Sequence, residues 1–380
     1  MKKRICSVLL VLVLTLAVLL PTAQAVGGGI QEQGIREISK TKYNIAPGVT
    51  EYAWLLNNNH LTEQMVGHVM EVKVGSGSTA SIAVGYSDDN IEAIKTGRNW
   101  AMKETTLQAG SMQNRRSIGE SKINVVGAIN AGGYDMSNGR PGGAFIMKGT
   151  QINPATGTTF WIDKSGNAHI TDSKICNAAY EAGNVMEAVA SFGDIFEDGH
   201  ARSGLDDSTR ASRTAIGIKE DGTVVMLMVD GRQAPYSVGM TMAEVGAAME
   251  ELGCVQAINL DGGGSSTFAT QREGEPESAD RAGLTLRCRP SDGYERKVSN
   301  TVMVLSTAQP TGEFHHAVMT PNDEVYTPGS TVQFSASGVD AAGGSAELPA
   351  GASWNVLSGG GSISESGLYT AAADTTGEVK

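Results

Sequence analysis

Cysteine is scarce. Of the four present, Cys6 falls in an N-terminal export signal, which leaves Cys176, Cys254 and Cys288. Three thiols form one disulfide at most, so a disulfide framework is excluded and an ordinary apolar core must supply stability. Neither C-x-x-C nor H-E-x-x-H occurs, and the six histidines stand at no ligand spacing, so the usual metal motifs are missing. The G-x-S-x-G elbow of a serine hydrolase is missing too. Basic residues are outnumbered 29 to 41, for a net charge of −12. Such a surface repels phosphate backbones, so nucleic acid is not an expected partner, and any anionic ligand must be held by a few local cations. Beyond residue 20, no apolar run approaches the roughly 18 residues of a membrane span.

What is present begins with an address. Lys2, Lys3 and Arg4 precede the apolar run 8–20, and Ala23-Gln24-Ala25 is a small-x-small cleavage site. Residues 1–25 therefore read as a secretory signal, with an uncleaved anchor as the alternative. Cleavage leaves 26 basic against 41 acidic residues on a protein expected to be secreted or cell-surface associated, with no transmembrane segment. The length suggests two domains. Residues 26–48 are small and polar, as in a loose leader.

The chain is organised around residues 255–267, V-Q-A-I-N-L-D-G-G-G-S-S-T. An apolar, partly β-branched run reads as a buried strand that stops at Asp261. Gly262, Gly263 and Gly264 lack a Cβ, so a ligand can approach their N–H groups closely, and Ser265, Ser266 and Thr267 add hydroxyls. A carboxylate at a strand end beside a row of donors suits a hydroxylated, anionic substrate. Taken alone, a glycine-rich turn capped by Asp261 accounts for the stretch equally well.

Earlier segments repeat the theme. Residues 69–74 alternate apolar with charged, and 81–86 follow, as an antiparallel pair. The stretch 99–116 is polar, and its Thr105, Thr106 and Ser111 weaken a helix. A second buried strand, 123–129, ends in Asn130-Ala131-Gly132-Gly133-Tyr134-Asp135; Tyr134 can offer a face to a sugar ring or simply line a turn. Strands are expected at 144–147 and 159–162, with Asp163-Lys164-Ser165-Gly166 as a hairpin turn. Residues 192–212 crowd polar side chains, among them His200 and Asp206, as a long surface loop does. Arg213 and Thr214 then open strand 215–218, where an arginine is placed for bidentate contact with phosphate, although a surface arginine is the commoner case. Asp221-Gly222 predicts a hairpin to 224–229, which ends at Asp230-Gly231-Arg232. Thr241 and Glu244 fit a capping box for a helix over 241–252 that Gly253 stops. Together with strand 255–260 these elements form a packed α/β unit. After a hydrophilic insertion (271–282), 297–306 supplies a further strand with Asn300 near its start.

The motifs A-I-N-A-G-G-Y-D-M (128–136), S-R-T-A-I-G (212–217), M-V-D-G-R (228–232), N-L-D-G-G-G-S-S-T (259–267) and V-S-N-T-V (298–302), in this order, resemble the phosphodiester glycosidase family. The likeness covers about 49–306. One departure is the segment after Asn130, often an acidic residue with paired aromatics, where Gly132, Gly133 and Tyr134 stand here. The resemblance implies an enzyme that hydrolyses a sugar-1-phosphate diester at the anomeric carbon, releasing sugar and a phosphomonoester. That leaving group needs little protonation, so the site must mainly stabilise charge. On this basis Asp261 works at the anomeric centre as nucleophile or as base for water. Arg213, with the N–H groups of Gly263 and Gly264, holds the phosphate, and Asp230 is the second carboxylate. Asn130, Tyr134, Thr214, Ser265, Ser266 and Asn300 supply contacts to the substrate, a sugar phosphate or phosphoglycan. No cofactor is implied, and a divalent metal is not excluded.

Past residue 307 the composition shifts. A linker (309–313) leads into 314–380, rich in Ser, Gly, Ala and Thr around Trp354, which suits a β-sandwich and resembles bacterial immunoglobulin-like domains, with S-G-L-Y-T at 366–370. The module is expected to be incomplete at 380 and to contact cell-wall polysaccharide. The expected fold is thus α+β: a mixed β-sheet catalytic domain (49–308) with packed helices, then a partial all-β sandwich. Two other functions compete. One is a metal-assisted phosphodiesterase using Asp261, Asp230, His200 and Asp206 as ligands; the other is a non-catalytic polysaccharide-binding surface protein.

Overall fold

The computed structural model describes residues 29–58, 63–86, 104–105, 123–275, 284–321 and 326–374. The expected signal at 1–25, most of the polar stretch 99–116 and the end of the insertion, 276–282, lie outside them.

Every strand pairing is antiparallel among the described residues, and the architecture is predominantly β. The central sheet has seven strands in the order Ile35–Ala46, Val49–Asn58, Glu63–Val72, Val224–Val229, Arg213–Lys219, Cys254–Asn259, Gly193–Asp194. Facing it are two five-stranded sheets. One runs Thr285–Leu286, Phe268–Thr270, Asn124–Asn130, Asn300–Ser306, Ala80–Tyr86; the other runs Ala168–Thr171, Thr159–Asp163, Val185–Ala190, Phe145–Met147, Thr150–Asn153.

The strand V-V-M-L-M-V at Val224–Val229 is buried along its whole length because both of its faces are covered. Val224, Met226 and Met228 join Ile216, Ile258, Ile129, Phe268 and Val302 in the core between the sheets. Val225, Leu227 and Val229 pack instead with Val245, Ala248 and Met249 of the helix Met242–Glu251 on the opposite face. A period of two thus sorts one apolar run into two cores. The helix has the expected capping box. Thr241 Oγ1 accepts the Glu244 N–H at 3.2 Å, Glu244 Oε2 accepts the Thr241 N–H at 2.9 Å, and Gly253 at φ +83° ends it. The hairpin at Asp221-Gly222 forms as expected, with the Gly222 N–H on Lys219 O at 3.0 Å. The turn from 163 to 166 joins Thr159–Asp163 to Ala168–Thr171.

Four expectations are corrected. The segment read as a loose leader contains the twelve-residue edge strand Ile35–Ala46. Residues 69–72 and 80–86 do not pair: the turn 75–79, with Gly75 and Gly77 at positive φ, carries the chain out of the central sheet into a facing one. The strand expected over 297–306 breaks at Ser299, so Lys297–Val298 pairs with Glu104–Thr105 while Asn300–Ser306 enters the facing sheet. A mixed sheet with several packed helices gives way to antiparallel layers, because only Met242–Glu251 and the short Ser173–Glu181 are α-helical among the described residues. The three remaining cysteines are free and buried, and burial pushes Cys176 up to about 11 and Cys254 up to about 12. They are packing groups, not nucleophiles.

Beyond residue 313 two three-stranded sheets form: His316–Thr320, Ser335–Val339 and Ser345–Ala346; and Thr331–Gln333, Leu368–Thr370 and Ser362–Ile363. Phe334 gathers Tyr326, Trp354 and Tyr369 around it, with ring centroids 6.2 to 6.5 Å away. Asp340 draws the linker in by accepting the N–H groups of Thr311 (2.6 Å) and Gly312 (3.0 Å).

Candidate active site

Four strands end together at one edge of the sandwich, and their ends are stitched by main-chain bonds. The Asp261 N–H donates to Ala131 O at 3.0 Å, the Ala131 N–H to Asn300 O at 3.2 Å and the Leu260 N–H to Thr214 O at 2.8 Å. Asn130 lies buried at their meeting point. Its Nδ2 donates to Asp261 O at 2.6 Å, and its Oδ1 accepts the Thr214 hydroxyl (2.9 Å) and the Thr267 N–H (3.0 Å). Ser266 Oγ lies 3.1 Å from Thr214 Oγ1 and extends the chain. Asn130, Thr214 and Ser266, expected to touch substrate, are instead committed to one another and fix where Asp261 leaves its strand. Asn130→Ala strips partners from two buried donors and one acceptor. It is expected to cost about 2–4 kcal/mol of stability in urea unfolding, with loss of activity following from the displaced turn.

The Asp261 side chain stands at the mouth of this stitched end, over the 3₁₀ turn Gly263–Ser265. Its Oδ1 accepts the Gly262 N–H at 2.9 Å. Burial pushes its carboxyl above the ordinary 3.8, opposed in part by the Ser265 hydroxyl, the Gly262 N–H and the Arg296 guanidinium. Ser265 is the junction: Arg296 Nη1 is 3.4 Å and Tyr134 OH 3.5 Å from its Oγ. Arg296 also holds Asp292 Oδ2 through Nη2 (2.7 Å) and Nε (3.0 Å). Asp261, Ser265, Tyr134, Arg296 and Asp292 therefore form one connected group.

The glycines serve this group in a way their sequence only half discloses. A Cβ on Gly263 would lie 3.2 Å from Arg232 Nη1, and one on Gly264 would lie 2.2 Å from both Arg296 Nη2 and Asp292 Oδ2. Their bareness makes room for two guanidinium groups over consecutive residues. The expected donor Gly263 is spent, its N–H on Ser212 O at 2.9 Å, and the Ser265 and Ser266 N–H groups close the turn on Gly262 O and Gly263 O. The Gly264 N–H has no hydrogen-bond acceptor among the described residues. Arg232, exposed and at φ +61°, makes no ion pair among them either.

Other expected residues stand elsewhere. On the strand Arg213–Lys219 alternate residues face opposite cores, and Arg213 falls on the side of Ala215, toward the helix. Its guanidinium donates to Met240 O (3.0 Å) and Thr209 O (2.7 Å), so it borders the site through Arg232 instead of meeting Asp261. Asp230 is wholly buried. Its Oδ2 accepts the Tyr236 hydroxyl (2.9 Å) and lies 3.2 Å from His68 Nε2, while Oδ1 accepts the Arg289 N–H (2.9 Å). One strand intervenes between the strands ending at Asp230 and Asp261, a separation of about 10 Å. Asn300 is buried, with Nδ2 on Ser299 Oγ at 2.6 Å; it meets the site through its main chain. Of the ligand set considered for a metal, His200 faces Glu250 at 3.4 Å and Asp206 caps an exposed turn at Ser208 and Thr209, so those four residues do not converge.

Sequence reading missed Arg232, Asp292 and Arg296. Arg232 closes the motif M-V-D-G-R, where attention fell on the aspartate, and Arg296 lies two residues before V-S-N-T-V.

Residues 123–305 match the family described as phosphodiester glycosidase. A 92-residue stretch is 37% identical to the SPbeta prophage-derived uncharacterized protein YomE of Bacillus subtilis (strain 168), covering 24% of this chain and 12% of that protein. A 110-residue stretch is 27% identical to the Mus musculus N-acetylglucosamine-1-phosphodiester alpha-N-acetylglucosaminidase, covering 28% of this chain and 17% of that enzyme. The matched stretches thus span less than a fifth of either curated relative. Among solved structures, the catalytic domain of the zebrafish enzyme of the same name, auto-inhibited by its pro-peptide, superposes with a TM-score of 0.51 at 17% identity over 71% of this chain and 88% of that one. A Burkholderia pseudomallei K96243 protein described as exported superposes with a TM-score of 0.51 at 13% identity over 72% and 97%. The structural likenesses show the fold; the family match and the mouse relative support the family.

Proposed function

We propose that this chain, whose residues 123–305 are supported as a phosphodiester glycosidase domain, hydrolyses a sugar-1-phosphate diester at the glycosidic bond and releases sugar and a phosphomonoester. The observation that carries this reading is the Asp261 carboxylate within the field of Arg296, followed at once by bare glycines over which Arg232 and Arg296 lie, with the Gly264 N–H uncommitted. In this reading the leaving phosphate rests on the two guanidinium groups and that N–H, which neutralise the charge it gains as the C–O bond breaks. Asp261 attacks the anomeric carbon or deprotonates the attacking water. Ser265 and Tyr134 orient the carboxylate, and Asp292 holds Arg296 in place. An N-acetylated hexosamine, the sugar in the mouse relative's name, is the first substrate to test.

The ionised form of Asp261 is the active one in this scheme. Because burial raises its carboxyl, activity is lost as pH falls through a value above 3.8. The acid limb of the kcat/KM profile, which reports the free enzyme, checks this, and a limb at or below 3.8 contradicts it. Export is supported by the pattern at 1–25 and by the likeness to a protein described as exported; no helix among the described residues is long and apolar enough to cross a membrane. The two small sheets beyond the linker suit an immunoglobulin-like module that carries the enzyme to surface phosphoglycans. The test is release of reducing sugar from the methyl diester of an α-hexose or α-N-acetylhexosamine 1-phosphate, with inorganic phosphate as a competitive inhibitor. Absence of sugar release would sink the reading.

A further inference from the structure

Among the described residues between 29 and 306, the three most exposed large apolar side chains are Tyr294 at 67%, Phe192 at 63% and Met136 at 61%. All three stand on loops that frame Asp261. Met136 follows Tyr134 in the loop after Asn130, Tyr294 lies between Asp292 and Arg296, and Phe192 precedes the strand pairing Gly193 with Asn259.

Phe192 is the one whose backbone is pinned by hydrogen bonds on either side of it. Its own N–H donates to Asn259 O at 2.8 Å, two residues before Asp261; the Ser191 N–H donates to Thr158 O at 3.0 Å, and the Gly193 N–H to Ser191 Oγ at 2.8 Å. Its ring edge lies against bare backbone at Gly133, where a Cβ would be 2.5 Å from Cδ2 and 2.6 Å from Cε2. The next residue, Tyr134, reaches Ser265 in the catalytic group. A rigid backbone therefore presents an aromatic face to water at the margin of a polar, charged cleft. An aromatic face in that position can be covered by a ligand that has an apolar face of its own.

Resting on the function proposed above, we infer that Phe192 is the platform for the sugar ring whose anomeric carbon is delivered to Asp261. A pyranose has an apolar C–H face that stacks on an aromatic ring and a hydroxylated rim that stays in the polar cleft, so a single ring meets both kinds of surface. Phe192 is bonded to Asn259, before Asp261, whereas Arg232 and Arg296 stand over Gly263 and Gly264, after it, and hold the phosphate. The site thus has a sugar half and a phosphate half, and Gly133 belongs to the sugar half because it makes room for the ring. The Phe192 ring occupies space that a side chain at 133 would fill.

The test uses the full chain and the methyl diester of α-N-acetylhexosamine 1-phosphate or α-hexose 1-phosphate, whichever the unaltered protein cleaves, following reducing sugar. Phe192→Ala is expected to raise KM about tenfold, the loss of one stacking contact, without changing the inhibition constant of inorganic phosphate or the melting temperature. Phe192→Trp should restore KM, and Tyr294→Ala should leave it unchanged. An unchanged KM in Phe192→Ala, or an equal weakening of phosphate inhibition, overturns the platform while the glycosidase reading stands. No sugar release by the unaltered protein overturns both.

Discussion

Asp261→Asn is expected to lower kcat by about 10³-fold, the scale of removing a positioned acid–base or nucleophilic group. The protein should still fold. Asparagine matches aspartate in shape, its Oδ1 can accept the Gly262 N–H, and Asp261 O, which receives Asn130 Nδ2, is main chain. Linkage gives the direction of the stability change. The folded carboxyl lies above its ordinary value, so the folded state binds the proton more tightly than the unfolded chain, and stability is lost as pH rises from 3.8 through the folded value. Above that window the ionised group is a burden that the amide removes. Melting at pH 7 should therefore be unchanged or slightly higher for Asp261→Asn, and the two curves should converge in acid. Activity within a few-fold of the unaltered protein would remove Asp261 from the chemistry.

Arg296→Ala should lower kcat/KM by about 10²-fold to 10³-fold, comparable with loss of one preorganised donor to a developing anion. Three contacts go at once: the guanidinium over Gly264, the pair with Asp292 at 2.7 Å and the reach to Ser265 at 3.4 Å. Arg296 is one of the groups that hold the Asp261 carboxyl down against burial, so its removal moves the acid limb of activity to higher pH. Arg296→Lys keeps the charge but loses the fork that serves Asp292 and Ser265 together, and an intermediate rate is expected. An alanine variant with unchanged phosphate inhibition and an unmoved acid limb would assign Arg296 to packing alone.

Much of the frame was legible because its signals are local. Asp221-Gly222 between two apolar runs, the Thr241 and Glu244 capping box and the strands that stop at Asn130 and Asp261 all appear where side-chain period and turn chemistry put them. The edge strand Ile35–Ala46 was not legible, because half of its residues are exposed and it carries no alternation of apolar residues. Pairing between distant strands has no local signal, which is why residues 69–72 and 80–86 read as a pair in sequence although they lie in different sheets. The site was read at its carboxylate and missed at its cations. Arg213 is at the right strand end, but alternation turns it toward Met240. Arg232 and Arg296 sit on irregular loops whose course depends on the buried Asp230 carboxylate holding the Tyr236 hydroxyl and the Arg289 main chain. Asp230 contributes by fastening those loops together, a part that its place in a motif could not distinguish from contact with substrate.

Hydrolysis of the sugar-1-phosphate diester in ¹⁸O-labelled water asks most directly which bond this assembly breaks. An acid aimed at the anomeric carbon with the phosphate as leaving group puts the label on the released sugar and none on the phosphomonoester. Label on the phosphate would mean attack at phosphorus, and the roles given to Asp261, Arg232 and Arg296 would be contradicted together.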